Sequence, residues 1–73
     1  MKKIYLIERY IIIRKTGTWT LKNSYRTDVR EKNRIIKYAK NEGYKYDRKE
    51  KSYILSCDPV ESSYDYAIIV TSY

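Results

Sequence analysis

The strongest constraint on the fold comes from two segments, residues 3–15 and 64–73, that carry apolar side chains on both faces of an extended chain. In the first, two sets alternate: Ile4, Leu6, Tyr10 and Ile12 with Tyr5, Ile7, Ile11 and Ile13. Strands that are apolar on both faces lie inside a sheet or are covered on both sides. We therefore expect both segments to be strands near the sheet centre, where they pair.

The first segment continues into a predicted hairpin. The adjacent charges Glu8 and Arg9 interrupt its apolar pattern, and we expect a bulge or bend there that turns both outward. Gly17 supplies the positive-φ position of a turn, and a short strand follows at residues 18–22. Residues 23–26 then connect this strand to a helix.

One helix is predicted over residues 28–42. Thr27 or Asp28 caps its N-terminus, and Gly43 ends it. If Asp28 is the cap, Glu31 lies three residues further on, which is the capping-box spacing. Its apolar stripe is expected to contain Val29, Ile35, Ile36 and Ala39, with the stem of Lys32 between them. Its opposite side carries basic residues that we call the helix ridge: Arg30, Arg34 and Lys37.

After the helix, residues 44–55 form a second predicted hairpin with a charged tip at residues 48–50. Pro59 blocks a strand in the loop that follows, and the last strand begins at Tyr64. The order is β-β-α-β-β-β. We expect one small domain over residues 1–73, an α+β fold with one helix packed on a four- to five-stranded, mainly antiparallel sheet.

Composition limits the chemistry. The chain has no histidine and one cysteine, Cys57, so a usual general base, a zinc site and an intrachain disulfide are all excluded. We expect no catalytic activity and no cofactor. The lone thiol favours the cytoplasm. The longest uncharged apolar stretch, residues 10–13, is too short to span a membrane.

The charge distribution favours a polyanionic partner. Net charge is +7, and all 16 basic residues lie within residues 1–55. Candidate phosphate contacts are the helix ridge and the hairpin tip: Arg30, Arg34, Lys37, Arg48, Lys49 and Lys51. Candidate stacking contacts for nucleic-acid bases are Tyr44, Tyr46 and Tyr53. Each set also fits an ordinary solvated surface or core packing, and the acidic loop at residues 58–65 fits a solvated loop.

Residues 28–55 resemble the recognition helix and wing of winged-helix proteins. The supporting helices of that fold would have to lie in residues 1–22, which are predicted to be strands, so we do not expect that fold. The idea that the helix ridge and the hairpin tip share one basic surface does not depend on it.

Three functions remain open. The first is a nucleic-acid-binding accessory protein. The second is a protein-binding inhibitor or adaptor, because the small Lys-, Ile- and Tyr-rich chain resembles in composition the accessory proteins of phages and mobile elements. Such proteins include blockers of host or bacterial-immunity nucleases. The third is a homo-oligomeric structural protein, for example a homodimer, paired through an exposed strand edge.

Overall fold

A computed structural model describes residues 3–58, 60 and 62–72, and it confirms the α+β fold with one helix on a sheet. Pro59, Glu61 and Tyr73, which figured in the predicted loop and last strand, lie outside the described residues. The elements are β1 (Tyr5–Ile13), β2 (Thr18–Thr27), α1 (Val29–Glu42), β3 (Lys45–Asp47), β4 (Ser52–Leu55) and β5 (Tyr64–Ser72). No described helix is long and apolar enough to cross a membrane.

The five strands form one antiparallel sheet in the order β2-β1-β5-β4-β3. The prediction that the first and last strands pair near the centre is confirmed, because β1 and β5 are neighbours and β5 is the middle strand. Their pairing runs without a shift from Tyr5 opposite Ser72 to Ile13 opposite Tyr64. Each of the two strands therefore has a neighbouring strand on both sides.

β2 is longer than predicted, since it continues through residues 23–26 to Thr27. These residues lack apolar alternation, but a strand at the sheet edge needs only its pairing with β1 and tolerates polar side chains. The predicted irregularity is present, with a register shift between Arg9 and Tyr10. However, the extra residue is Lys22 in β2, so Glu8 and Arg9 stay in register and lie on opposite faces of the sheet.

The helix has the predicted ends. The side chain of Asp28 accepts a 2.9 Å hydrogen bond from the backbone N–H of Glu31. Gly43 adopts φ of 101°, a left-handed conformation in which a Cβ atom causes strain. The chain then turns back at once, because the N–H of Tyr44 donates to the carbonyl of Ala39 over 2.9 Å.

The buried stripe of α1 is narrower than predicted. Ile35 and Ala39 are buried, but Val29 is 50 % exposed. At about 100° per residue, Val29 lies about 120° around the helix from Ile35, which is outside the strip that meets the sheet. Lys32 lies at the edge of that strip, with its Nζ 4.8 Å from the centre of the Tyr5 ring.

The core lies between α1 and one face of the sheet, here called the helix face. Ile7, Ile35, Ala39 and Ile68 form the buried cluster, and Tyr44, Tyr53 and Val70 pack against it. Residues that lie directly opposite each other in an antiparallel pair have their side chains on the same face of the sheet. The strand register therefore also tells which side chains lie on the face away from α1. Because α1 is the one described helix and every described strand belongs to this sheet, no described element covers that other face.

Arg14 and Asp65 join the end of β1 to the start of β5. Asp65 Oδ1 accepts hydrogen bonds from Arg14 Nε at 2.8 Å, from Arg14 Nη2 at 2.6 Å and from the backbone N–H of Cys57 at 3.0 Å. Arg14 also donates to the carbonyl of Cys57. The Arg14 hydrogen bonds, and secondarily the Cys57 N–H, hold the pKa of Asp65 below its ordinary value. The chain after β4 is thereby attached to the sheet.

The one-sided core predicts unequal effects of two isoleucine truncations. Ile7 is fully buried, whereas Ile4, three residues earlier, is 49 % exposed. We expect Ile7→Ala to lower the free energy of unfolding by about 2–5 kcal/mol, because it leaves a cavity under α1. Ile4→Ala should change it by less than about 0.5 kcal/mol. Urea denaturation at one protein concentration measures both, and equal losses would contradict the assigned core.

The Asp65 hydrogen bonds predict a pH dependence. A pKa that folding lowers means that the ionised carboxylate stabilises the fold at neutral pH, and that this contribution is lost as the pH falls below 3.8. Asp65→Asn should therefore lower the urea midpoint at pH 7 and flatten its dependence between about pH 2 and about pH 5. Glu50→Gln, which removes a carboxylate from the exposed β3–β4 turn, is the control and should retain the wild-type slope.

Candidate functional site

The helix ridge lies on the solvent side of α1, opposite Ile35 and Ala39, and all three of its residues are exposed. Arg34 Nη1 lies 3.2 Å from Glu31 Oε2, with 70 % of the Arg34 side chain and 43 % of the Glu31 side chain exposed. An exposed pair of this kind contributes little free energy, so it does not prevent Arg34 from binding an anion.

The hairpin tip is a turn at residues 48–51 between β3 and β4. Asp47 Oδ1 accepts hydrogen bonds from the backbone N–H groups of Lys49 at 2.8 Å and Glu50 at 3.1 Å, which fix the turn. Lys51 adopts a positive φ of 53°. Arg48 borders a depression over β3, whereas Arg34 of the helix ridge borders a different one beside β1. Arg34 and Arg48 therefore border two different depressions.

The three predicted stacking tyrosines have different environments. Tyr44 and Tyr53 are half-buried and pack against the core. Tyr46 is 54 % exposed and meets Tyr53 edge to face, with 5.0 Å between ring centres. Of the three, Tyr46 therefore presents the most ring surface to a ligand beside β3.

A second concave surface, the Arg9 groove, was not predicted from the sequence. It has a volume of about 610 Å³ on the helix face, and Ile68 contributes to its floor. The strand register brings its parts together, since Arg9 lies opposite Ile68 in β5 and opposite Asn23 in β2. The groove is lined by two cations, one amide, four tyrosines and two apolar side chains: Arg9, Lys22, Asn23, Tyr10, Tyr25, Tyr44, Tyr66, Ala67 and Ile68.

Arg9 links this groove to the helix ridge. A neighbouring depression of about 340 Å³ is bordered by Arg9 and by four residues of α1: Glu31, Arg34, Ile35 and Tyr38. Arg9 is half-buried, and its guanidinium forms no ion pair or hydrogen bond within the described part of the chain. A permanently charged side chain is thus held in the concave surface and is available to an anionic ligand.

The pKa of the Tyr44 hydroxyl reflects its burial and the charge of Arg9. Burial raises the pKa of its hydroxyl, the nearby Arg9 charge partly opposes that rise, and Tyr38 and Tyr66 add smaller increases. The hydroxyl is therefore neutral at physiological pH and remains a hydrogen-bond donor as well as an acceptor.

The Arg9 groove contains groups that can hold a ligand. Aromatic rings beside cations hold flat, anionic ligands by stacking and charge. Among residues 3–58, 60 and 62–72, no three carboxylate or cysteine side chains gather to hold a metal ion. The arrangement offers hydrogen-bond donors, ring faces and positive charge.

Sequence reasoning missed Arg9, Lys22, Tyr25 and Tyr66 because the strand register brings them together. One signal was present: Arg9 has the same parity as Ile7 and Ile11, so a regular strand places it on the helix face. The predicted bulge in β1 would turn Arg9 outward, but β1 is regular and the extra residue lies in β2. The sequence predicts a strand that ends at residue 22, whereas β2 continues to Thr27 and includes Tyr25.

No protein-family model, curated protein or solved structure matches this chain. The case for its function therefore depends on the geometry of its own surfaces.

Proposed function

We propose that this protein is a non-catalytic, single-stranded nucleic-acid-binding protein whose Arg9 groove accepts unpaired bases. The observation that carries the proposal is an unpaired guanidinium, Arg9, held in one groove with the rings of Tyr25, Tyr44 and Tyr66. Each base has an aromatic face that can stack on such a ring whatever its identity, and the adjacent phosphate is attracted to the cation.

The shape of the site favours single strands over duplexes. Its cations and tyrosines lie inside a concave surface, where an unstacked base can meet a ring. A duplex covers the faces of its bases by stacking and presents mainly phosphates and groove edges.

The helix ridge extends the proposed path of the strand. Arg34 borders the depression that shares Arg9 with the groove, and Arg30 and Lys37 follow along the solvent side of α1. These exposed side chains would contact phosphates and add salt-dependent affinity without base preference. Arg48, Lys49 and Lys51 remain predicted phosphate contacts in the turn between β3 and β4.

Protein binding is the alternative, since tyrosines are also frequent anchors of protein interfaces. The two functions are separated by capturing partners with the tagged protein before and after nuclease treatment. Loss of the captured material with nuclease supports the proposal. A specific protein that persists after nuclease treatment supports an inhibitor or adaptor.

The proposal predicts that Arg9 contributes more to binding than Arg48. We expect Arg9→Gln to weaken binding of a mixed-sequence single-stranded oligonucleotide by roughly tenfold or more. It should also reduce the slope of log K against log salt by about 0.7, the value for one lost phosphate contact on a single strand. Arg48→Gln removes the same charge at the hairpin tip and should have a smaller effect. Fluorescence anisotropy across a salt series measures both.

A pair of tyrosine variants tests the stacking contribution separately. Tyr66→Leu removes a ring from the Arg9 groove, and Tyr46→Leu removes an exposed ring beside β3. We expect Tyr66→Leu to weaken binding several-fold at every salt concentration with an unchanged salt slope. Tyr46→Leu should bind nearly as well as the wild type. Binding that is independent of salt, or that survives both Arg9→Gln and Tyr66→Leu, would contradict the proposal.

A further inference from the structure

The face of the sheet opposite α1, here called the open face, is apolar. The register places Tyr10 of β1 opposite Leu21 and Ala67, and Ile12 opposite Trp19. Its apolar side chains come from four strands: Leu6, Tyr10 and Ile12 of β1, Trp19 and Leu21 of β2, Ile54 of β4, and Ile69 of β5.

These side chains lack a covering layer within the described chain. Leu21 is 49 % exposed, and the other six are half-buried by their neighbours in the sheet. Tyr10 and Trp19 meet edge to face with 5.6 Å between ring centres. An antiparallel sheet with one solvated face ordinarily carries polar residues on that face, so an apolar pattern indicates a surface that is covered in use.

The open face also differs from the rest of the molecule in charge. The strand register places five charged side chains on this face: Glu8, Arg26, Lys45, Asp47 and Asp65. Arg14 joins them through its hydrogen bond to Asp65, so the face carries three basic and three acidic side chains. Asp65 is bonded to Arg14, and Glu8 accepts a 3.0 Å hydrogen bond from the Tyr10 hydroxyl. The chain has a net charge of +7, yet this face is neutral.

We infer that two copies of this chain pack their open faces together as a homodimer. Two neutral apolar surfaces can meet without the repulsion that the other surfaces of a +7 chain would produce. An acidic partner would instead be attracted to the basic side of the molecule. A second copy supplies a surface of the same size and the same lack of net charge.

The open face reaches the minimum size for this dimer when two copies overlap over the whole face. With 9, 10, 4 and 9 residues in β1, β2, β4 and β5, it measures about 500 Å², at ~3.4 Å per residue and ~4.8 Å per strand. Two such faces bury about 1,000 Å², the lower limit for a specific interface. The result is two sheets packed face to face, as in a β-sandwich.

Two copies are less suited to pair through the β2 edge of the sheet than to pack their open faces together. The outer strand β2 is interrupted by the extra residue Lys22, and most of its exposed side chains are polar or charged. Bulges and charged side chains on an edge strand oppose pairing with another strand. The dimer would leave most of each Arg9 groove exposed, because Arg9, Asn23 and Tyr66 lie on the opposite side of the sheet. Tyr10 and Ala67 border both surfaces.

The test measures the mass of the intact chain by sedimentation or light scattering from about 1 µM to about 1 mM. We expect twice the 8.9 kDa of one chain at the upper end. Leu21→Glu places a charge in the proposed interface and should weaken dimerisation by about tenfold or more. Val29→Glu, at an equally exposed site on α1, should dimerise like the wild type.

Thr71→Lys and Ser72→Lys form a second matched pair. The two residues are adjacent and exposed in β5, but Thr71 lies on the open face and Ser72 on the helix face. Neither is a core residue, so both variants should fold, as far-UV circular dichroism can verify. We expect Thr71→Lys alone to weaken the dimer.

Trp19 provides a readout that is specific to the open face. As the single tryptophan of the chain, it should shift its emission to longer wavelength when dilution separates the copies. A monomer at every concentration would overturn the inference. So would a dimer that is unaffected by Leu21→Glu and Thr71→Lys, or one whose dissociation leaves Trp19 emission unchanged, since both results indicate edge pairing. Loss of oligonucleotide binding in Arg9→Gln with an intact dimer would leave the inference standing.

Discussion

The antiparallel ladder between β1 and β5 is the interaction on which the rest of the structure depends. Nine residue pairs run without a register shift through the centre of the sheet. This ladder assigns every side chain of β1 to a face, with Ile7 and Arg9 under or beside α1 and Glu8 and Tyr10 on the open face. A slip by one residue would exchange the two sets, burying Glu8 against the helix and exposing Ile7. The apolar core therefore fixes the register, and the register fixes both surfaces.

Local signals in the sequence predicted those elements that depend on local interactions. Asp28 and Gly43 define the ends of α1 through backbone hydrogen bonds and a positive φ, and both are visible in the sequence. The central positions of β1 and β5 follow from their two apolar faces. The second half of β2 could not be predicted in this way, because its residues are held by pairing across the sheet. Tyr25, which depends on that pairing, and the groove around Arg9 were missed for the same reason.

The two faces of the sheet divide the charge of the molecule unequally. The open face carries three basic and three acidic side chains, so the net charge of +7 belongs to the helix side, the edges and the loops. Such a division is not required for folding, since net charge affects solubility and association more than fold. It does permit one surface to approach its own copy while another attracts a polyanion. The charge pattern is therefore consistent with two binding surfaces on opposite sides of one sheet.

A single helix cannot cover both faces of a five-stranded sheet, and the composition reflects this limit. Five apolar residues are buried, and the remaining apolar surface is largely tyrosine and isoleucine in half-buried positions. Tyrosine suits such positions because its ring packs while its hydroxyl stays hydrated or bonded, as Tyr10 shows with Glu8. A phenylalanine in the Arg9 groove would offer the same ring without a hydrogen-bond donor for a base or phosphate. The choice of tyrosine thus allows one set of rings to support a thin core and to remain available to a ligand.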